Sequence, residues 1–397
     1  MTDSKVFFPL AVSGWDHAEY EAMQAVIKSG LFTMGAKVAA YEKDFAGFFG
    51  SKYAVMCSSG STANLLMVAA LFYRKENPLK AGDEVIVPAV SWSTTYFPLH
   101  QYGLKLRFVD IDVETLNFDL KELEKAVGPK TRLIMAVNLL GNPNDFGAID
   151  KIIKASGHAS NITLIEDNCE SMAATIEGRH CGTFGVMGTF SSFFSHHIAT
   201  MEGGCIVTED EELYHILLCL RAHGWTRNLP KFNHVTGEKS DDVFEESFKF
   251  VLPGYNVRPL ELEGALGIEQ LKKLPRFISE RRANAVTFKK EFNDHPWLMT
   301  QKEIGKSSWF GFSLVIRPEA VKAGRTRAEL VKTLTSNGVE CRPIVAGNFA
   351  KNPVVKLMSH EIQGALPNAN WIDTHGLFVG NHHQPFTDQI KRLRELL

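Results

Sequence analysis

Short apolar runs alternate with helical patterns through the first two-thirds of the sequence. The runs have the length of buried strands, and they read YAVMCSS, DEVIVPAVS, LRFVDID, RLIMAVNLL and ITLIEDN. The helical patterns between them lie at about residues 62–73, 95–102, 120–127 and 148–156. Continuous apolar strands that alternate with helices predict an α/β fold with a mostly parallel sheet covered on both faces. Such sheets bind ligands at the carboxyl ends of their strands.

The pattern changes at about residue 281. The segment WFGFSLVIRPE predicts a strand, and TRAELVKTLTSNGVECRPI predicts a helix that stops at Asn337 and Gly338, followed by a strand. We therefore predict a large domain over residues 1–280 and a smaller α+β domain over residues 281–397. A helical pattern around residues 263–273 would join the two domains. Whether the N-terminal segment packs on the smaller domain stays open.

Size and charge limit the classes of partner. With 397 residues and 45% hydrophobic content, the chain can bury a large core. The formal net charge is -2, which gives no support for nucleic acid or an anionic membrane as the main partner. A local basic patch for a small anionic substrate remains compatible with this charge.

The cysteine pattern argues against a metal cluster. The six cysteines form no C-x-x-C pair and are irregularly spaced, so neither a structural zinc site nor an iron–sulfur cluster is expected. We expect free thiols in a reducing cytoplasm. The N-terminal sequence MTDSKVFFPLAV has no signal-peptide pattern, and the most apolar stretch, residues 65–72, is too short for a membrane span.

Small and hydroxylated residues follow the first predicted strand, in the segment SSGSTANLL from Ser58 to Leu66. Free backbone N–H groups at the start of a helix, together with the helix dipole, favour a bound phosphate. The same residues also fit a plain helix N-cap with a tight turn. The segment matches neither a GxGxxG nor a P-loop pattern, so both interpretations stay open.

Polar and aromatic residues follow two other strands. Glu166, Asp167 and Glu170 lie at the end of an apolar run, where carboxylates are costly unless they are paired. They are candidates to hold a metal, a ribose or a protonated ring nitrogen, and a helix-capping aspartate is the alternative. Trp92 in VSWSTTYFP either stacks on a flat ligand or packs in the core.

Taken in order, these segments resemble the sugar aminotransferases. The matching pieces are SSGSTAN, VPAVSW, LIEDNCES, GTFSSF, a loop that ends in GG, and GYNVRPLELEGALG. The resemblance spans nearly the whole chain. It implies the fold-type I transferase fold that depends on pyridoxal 5'-phosphate (PLP), with a mostly parallel seven-stranded sheet flanked by helices in the large domain and a smaller C-terminal α+β domain. It also implies a homodimer with active sites at the subunit interface.

The resemblance implies a phosphate site for PLP. At the matching positions, Gly60, Ser61 and Ser191 would hold the PLP phosphate. Asn256 would reach the phosphate of the neighbouring subunit. Both expectations come from the family pattern. The residues around Gly60 alone are equally compatible with a helix N-cap.

The resemblance also implies contacts to the ring of PLP. Trp92 would lie against the ring, and Glu170 would lie near its hydroxyl group. Asp167 would pair with the pyridine nitrogen. This pairing has a physical reason, because a carboxylate keeps the pyridinium protonated and the charged ring is a better electron sink.

One residue departs from the aminotransferase pattern. In those enzymes, a lysine shortly before the GG pair forms the internal Schiff base with PLP. Here the segment is SSFFSHHIATMEGG, with His196 at the matching position and no lysine between Lys154 and Lys231. An imidazole cannot form a Schiff base, so PLP would be held non-covalently. A histidine can still move protons near neutral pH, which makes His196 the candidate base.

The lysine-free loop resembles a branch of the family that removes the C3 hydroxyl of GDP-4-keto-6-deoxy-D-mannose. The resemblance implies that glutamate converts PLP to pyridoxamine 5'-phosphate (PMP), that His196 moves the proton, and that ammonia is released. Three alternatives are a nucleotide-sugar aminotransferase, an iron–sulfur-assisted dehydratase and a catalytically inactive paralogue that binds a sugar nucleotide. The first needs a lysine and the second a cysteine cluster.

Several cationic side chains are candidates for the sugar nucleotide. His223 in RAHGW matches a family position beside the sugar, and a packed or solvated histidine is the alternative. Arg227, Lys231 and Arg342 are candidates for the diphosphate, and a charged surface explains them equally well.

The remaining histidines are given weaker roles. His197 is expected to point away from His196, because adjacent side chains on an extended segment face opposite sides. His382 and His383 in GNHHQ have no evident third metal ligand, so we expect a surface loop there and no metal site.

Overall fold

The computed structural model describes residues 6–397, so the first five residues of the predicted large domain lie outside the described range. The α-helices, in chain order, are α1 (His17–Ser29), α2 (Ala36–Phe49), α3 (Gly60–Tyr73), α4 (Ser93–Gln101), α5 (Leu120–Ala126), α6 (Phe146–Ala155), α7 (Glu211–Arg221), α8 (Val243–Glu246), α9 (Glu261–Phe292), α10 (Pro318–Lys322), α11 (Arg327–Ser336), α12 (Pro367–His375) and α13 (Thr387–Leu396).

The strands are numbered in the same way. They are β1 (Tyr53–Cys57), β2 (Glu84–Pro88), β3 (Lys105–Val109), β4 (Thr131–Val137), β5 (Thr163–Asp167), β6 (Thr175–Ile176), β7 (Arg179–His180), β8 (Met187–Ser191), β9 (Gly204–Thr208), β10 (Phe232–Asn233), β11 (Gly237–Glu238), β12 (Leu298–Met299), β13 (Gly311–Ile316), β14 (Cys341–Arg342), β15 (His360–Ile362) and β16 (Gly376–Gly380).

The main sheet has eight strands in the order β1-β9-β8-β5-β4-β2-β3-β15. Only β9 runs against the others, pairing antiparallel with β1 and β8, whereas the remaining neighbours pair in parallel. The mostly parallel sheet is as expected, but the expected count of seven strands is wrong. The eighth strand is β15, which comes from the C-terminal part of the chain and pairs with β3.

Helices cover both faces of the main sheet, because its strands are apolar on both sides. One core packs α3, α4 and α7 against the sheet, and others pack α2 with α9, and α5 with α6. Helix α3 is apolar nearly all round, and its residues from Leu66 to Leu71 are completely buried. This packing fixes the start of α3 at the edge of the sheet where the strands end.

A second sheet lies in the C-terminal part of the chain. Its four strands are antiparallel in the order β12-β13-β16-β14, and they pack on α13 and the end of α9. Phe8, near the start of the described range, is fully buried in this core and forms a bridge with Val339. The N-terminal segment therefore packs on the C-terminal part.

The long helix α9 connects the two regions. The helical pattern expected over about residues 263–273 extends from Glu261 to Phe292 and includes Pro275. Its neighbours Leu274 and Phe277 are buried, so tertiary packing outweighs the local cost of the proline. Because α9 crosses residue 280, the boundary between the two domains stays a prediction. None of the helices described over residues 6–397 is long and apolar enough to cross a membrane.

Candidate active site

A cavity of about 620 Å³ opens where five strands of the main sheet end. Its wall is formed by the segments that follow β1, β2, β4, β5 and β8, with further residues from the C-terminal part of the chain. Seven of the predicted site residues line it, namely Gly60, Ser61, Trp92, Asp167, Glu170, Ser191 and His196. The position of the cavity agrees with the rule that parallel sheets bind ligands at the carboxyl ends of their strands.

The start of α3 forms one wall of the cavity. Ser59 is the N-cap, and its hydroxyl accepts from the backbone N–H of Thr62. The N–H groups of Gly60 and Ser61 precede the first intrahelical hydrogen bond, so they are available to an anion. A Cβ on Gly60 would lie 2.6 Å from Cβ of Ser191, so only glycine allows this close approach. The helix N-cap interpretation is therefore confirmed, and phosphate binding at the same residues stays a prediction.

Asp167 ends β5 and is held by several donors. Its Oδ2 accepts from Nδ2 of Asn64 and from Oγ1 of Thr95, both at 2.8 Å. Its Oδ1 accepts from the backbone N–H of Cys169 at 3.1 Å. These donors fix the orientation of the carboxyl group, and the residue still lines the cavity. Asp167 caps no helix, so the helix-capping alternative is wrong.

Glu170 lies in the same wall and is held by backbone. Its Oε2 accepts from the N–H of Leu140 at 3.0 Å. Burial, aided by the negative charge of Asp167, raises the pKa of Glu170 to about 7. Leu140 has a φ of 51°, a left-handed conformation that is unusual for leucine, and this turn aims its N–H at the carboxylate.

Glu166 has a structural role. It is completely buried and does not line the cavity. Its carboxylate accepts from the N–H groups of Gly182, Phe184 and Gly185 at 2.6–2.8 Å. It therefore anchors the loop before β8, and the strand-end carboxylates divide into one structural group and two groups that face the cavity.

The histidine pair lies in a turn rather than on an extended segment, since the N–H of His196 donates to the carbonyl of Phe193 at 2.8 Å. His196 lines the cavity, and its Nδ1 is buried without a hydrogen-bond partner among the described residues. Burial, followed by the charge of Arg281, lowers the pKa of His196 to about 4. The imidazole is therefore neutral at physiological pH and able to accept a proton.

His197 points elsewhere, as expected, although for a different reason. Its side chain is buried, lies outside the cavity lining and has Nε2 3.2 Å from the carbonyl oxygen of Ser308. The turn, rather than strand alternation, separates the two imidazoles. Only His196 is placed to act in the cavity.

Trp92 supplies an exposed aromatic face beside the cavity. It immediately precedes α4 and is 57% exposed, so it is not a core tryptophan. Nearby, the hydroxyl of Ser61 donates to Oγ1 of Thr94 at 3.1 Å. This combination of an exposed aromatic ring and polar groups suits a flat, phosphorylated ligand.

Three predicted site residues lie outside this cavity. Asn256 is exposed, and its side-chain oxygen accepts from Nε of Arg258 at 3.0 Å. His223 packs against Trp225, and the exposed Arg227 lies over the same tryptophan ring, 4.5 Å from its centroid. The structure groups these residues with one another but not with the seven that line the cavity.

The two remaining candidates for binding a diphosphate, Arg342 and Lys231, lie in different parts of the structure. Arg342 lines the cavity, where it is the only arginine or lysine among the lining residues described. Lys231 instead pairs with Asp241 on an exposed hairpin. Of the two, only Arg342 is therefore placed to meet a ligand of the cavity.

The sequence matches the DegT/DnrJ/EryC1/StrS aminotransferase family over residues 15–397. The chain belongs to this family. Because the match covers almost the whole chain and includes every wall of the cavity, the site described above is the site of a family member. The fold agrees with that of a solved aminotransferase, Helicobacter pylori PseC, which matches 98% of this chain at 20% identity with a TM-score of 0.82.

More similar relatives are named for one activity. The chain is 64% identical over 391 residues to GDP-4-keto-6-deoxy-D-mannose 3-dehydratase of Yersinia pseudotuberculosis, with 98% of each chain covered. It resembles a crystal structure of GDP-4-keto-6-deoxymannose-3-dehydratase with a trapped PLP-glutamate geminal diamine, at a TM-score of 0.95, 63% identity, and 98% and 100% coverage. A mutant of that enzyme with bound GDP-perosamine matches at a TM-score of 0.95, 63% identity, and 98% and 99% coverage.

This member of the DegT/DnrJ/EryC1/StrS family also has site residues that the sequence analysis missed. Asn64 lies four residues after Gly60 in the segment SSGSTAN, so helical spacing places both on one face of α3 and makes its position predictable. Val345 and Phe378 line the cavity from the C-terminal part, and no local pattern marks them. Their place depends on how the chain returns to the main sheet.

The expected surface loop at His382 and His383 is wrong. Both side chains are buried, and their rings lie 4.0 Å from Phe386 and 4.2 Å from Phe277, respectively. The segment packs against α9, which the local sequence does not reveal. Over residues 6–397 no group of three or more potential metal ligands is found, and the six cysteines are free.

Proposed function

We propose that the protein is a PLP-dependent GDP-4-keto-6-deoxy-D-mannose 3-dehydratase. It removes the C3 hydroxyl to give GDP-4-keto-3,6-dideoxy-D-mannose, takes its amino group from glutamate and releases ammonia. The observation that carries the proposal is the presence of His196, instead of a lysine, in the same cavity as Asp167 and Glu170. The close relatives with this activity over their full length support the choice of substrate.

The residues of the cavity fit PLP. Gly60 lets the start of α3 approach Ser191 closely, so that Gly60, Ser61 and Ser191 line the same part of the cavity and can bind a phosphate there together. Asp167, already held by three donors, is suited to a protonated pyridine nitrogen. Trp92 offers a face for the ring. When bound, the cofactor supplies an electron sink and carries the amino group.

Glu170 completes the polar wall. With its pKa raised to about 7, it is partly protonated at neutral pH and can donate a hydrogen bond to the ring hydroxyl or accept one from it. Its anchor on the backbone of Leu140 keeps this carboxyl group in place.

His196 performs the proton transfers. Its imidazole is neutral, and one ring nitrogen can take a proton from the reacting carbon while Asp167 stabilises positive charge on the ring. The same imidazole then returns the proton to the departing C3 hydroxyl, which leaves as water. His196 has no primary amine, so it cannot bind the cofactor covalently. The dehydrated sugar leaves with the nitrogen as an enamine, which tautomerises to an imine, and water then replaces the nitrogen to give the ketone and ammonia.

The assembly and location are also part of the proposal. We propose a homodimer in which Asn256, His223 and Arg227 serve the cavity of the partner subunit. In support, these residues lie outside their own cavity, and apolar Trp92 and Phe194 remain exposed near its mouth. The six free cysteines suit a reducing cytoplasm.

The test is the mass of the sugar-nucleotide product. The purified protein is incubated with PLP, glutamate and GDP-4-keto-6-deoxy-D-mannose, and the product is analysed by mass spectrometry. Loss of one oxygen with no gain of nitrogen, together with ammonia and 2-oxoglutarate, is expected. An amino sugar would replace the proposal with transamination, and unchanged substrate without 2-oxoglutarate would indicate a binding protein.

A further inference from the structure

A guanidinium group is buried behind the cavity without a carboxylate. Arg281 lies on α9, is 2% exposed and forms no ion pair among residues 6–397. Its Nη1 donates to the carbonyl oxygens of Trp309, Phe310 and Asn381 at 3.4, 3.2 and 2.7 Å. Its Nε has no partner. Burying a cation in this way is costly, so stability alone is a poor explanation for it.

The same carbonyl segment carries the histidine pair. The ring of Phe310 lies 5.2 Å from that of His196 and 5.7 Å from that of His197. The carbonyl oxygen of Ser308 meets Nε2 of His197 at 3.2 Å. The segment from Ser308 to Phe310 therefore touches the histidine turn on one side and the guanidinium of Arg281 on the other.

We propose that Arg281 is a positioning residue for His196, holding the Ser308–Phe310 segment against the histidine turn and placing a buried positive charge behind the imidazole. This inference rests on the proposed function, because it assigns a purpose to the neutral state of the base. Arg281 does not line the cavity and acts only through its neighbours.

The charges around His196 are compatible with this role. On the cavity side lie the acids Asp167, Glu170 and Glu202 and the cation Arg342. On the protein side lie His197 and Arg281, with Arg282 further along α9. The charge of Arg281 lowers the pKa of His196, after the larger effect of burial, and it lowers the pKa values of His197, His382 and His383 in the same way.

The positive charge of Arg281 affects the two proton transfers that His196 performs. A C–H bond breaks as an N–H bond forms on His196, and that N–H bond then breaks as the C3 oxygen takes the proton. The C3–O bond breaks, its electron pair leaves with the oxygen as water, and the electron pair of the broken C–H bond goes into a new double bond, so no oxidant or reductant is needed in this step. A cation behind His196 makes the imidazolium a stronger acid, which favours the second transfer.

The test is a titration of His196 by NMR in the ¹⁵N-histidine-labelled holoenzyme, with the resonance assigned from its loss in His196→Asn. In Arg281→Met, and in Arg281→Gln, which keeps donors for the carbonyls, the midpoint of His196 should move to higher pH. In Arg281→Lys it should stay low. Arg276→Met, which removes an exposed arginine of the same helix, is the matched control and should leave the midpoint unchanged.

The rate of dehydration provides a second readout. A tenfold change in the acid dissociation constant of the imidazole changes its protonated fraction about tenfold where it is mostly neutral. Arg281→Met and Arg281→Gln should therefore lose more activity at acid than at alkaline pH. Arg281→Lys should have the pH dependence of the wild type. An unchanged midpoint in the uncharged variants, or an equal loss in all three at every pH, overturns the inference. If the titrations behave as expected but the wild type yields no dehydrated product, the proposed function fails instead.

Discussion

The side-chain amide of Asn64 donates a 2.8 Å hydrogen bond to Oδ2 of Asp167, the carboxylate assigned to the ring nitrogen. Thr95 donates to the same oxygen, and Thr189 donates to Oδ1 of Asn64 at 2.6 Å. Helix α3 and strand β8 therefore both help to orient a residue that belongs to β5. The orientation of Asp167 therefore depends on side chains that have no direct part in the proposed reaction.

Replacing Asn64 should weaken the function of Asp167. A hydrogen bond to a charged group contributes about 1.5–3 kcal/mol, so Asn64→Ala should lower the rate of dehydration roughly 10- to 100-fold. Steady-state rates and the affinity for PLP, followed by absorbance, measure the loss. Asn337→Ala, at an exposed asparagine that ends α11, is the control. Wild-type rates in Asn64→Ala would show that Asp167 needs no such support.

The close approach of Gly60 and Ser191 gives a second prediction. In Gly60→Ala, the new Cβ would lie 2.6 Å from Cβ of Ser191, so overpacking should cost about 1–3 kcal/mol and weaken PLP binding. Adding Ser191→Gly should recover most of the Tm while PLP binding stays weak. Gly47→Ala, where nothing lies within 4 Å of the added Cβ, should not lower the Tm. An unchanged Tm in Gly60→Ala would contradict this packing.

Burial of His382 predicts a pH-dependent stability. Burial and Arg281 lower its pKa from 6.5 to about 4, so the unfolded state binds more protons between these values. Its contribution to stability is complete above pH 6.5 and is lost as the pH falls toward 4. Relative to His382→Gln, the wild type should lose about 2 kcal/mol between about pH 7.5 and 5.0.

Urea unfolding at the two pH values measures the free energy of unfolding of the wild type and of His382→Gln. Subtracting one from the other removes the pH dependence of other groups, some of which has the opposite sign. Glu166 and Glu170, whose pKa values are raised to about 7, stabilise the fold as the pH falls. His17→Gln, at a side chain that is 82% exposed, serves as the control and should show no such difference from the wild type. The same slope in the wild type and in His382→Gln would contradict a buried, neutral His382.

The sequence alone predicted the features that local patterns encode. Four of the five strands around the cavity, β1, β2, β4 and β5, were predicted from apolar runs, whereas β8 was not. The absence of a lysine before the GG pair followed from counting residues. What failed depends on long-range packing. Strand β15 is only three residues long and largely exposed, so no apolar run marks it, and the burial of His382 depends on contacts with α9 and Phe386.

The site shows the same division. Asn64 was within reach of prediction, because its position on α3 follows from helical spacing. Arg281 was not, because a charged residue on a long helix normally predicts a solvent-exposed face, and only the fold shows that this one is buried beneath Phe310. That Asn256 reaches the phosphate site of a partner subunit stays a prediction.

The most direct test of the account is the rate of dehydration in His196→Asn, compared with His197→Gln, which keeps an amide donor near the carbonyl of Ser308. A positioned general base contributes on the order of 10²–10⁴ in rate, so His196→Asn should lose at least that factor while still binding PLP. His197→Gln should retain most of its activity. Near-normal turnover in His196→Asn would contradict the central claim that this histidine moves the proton.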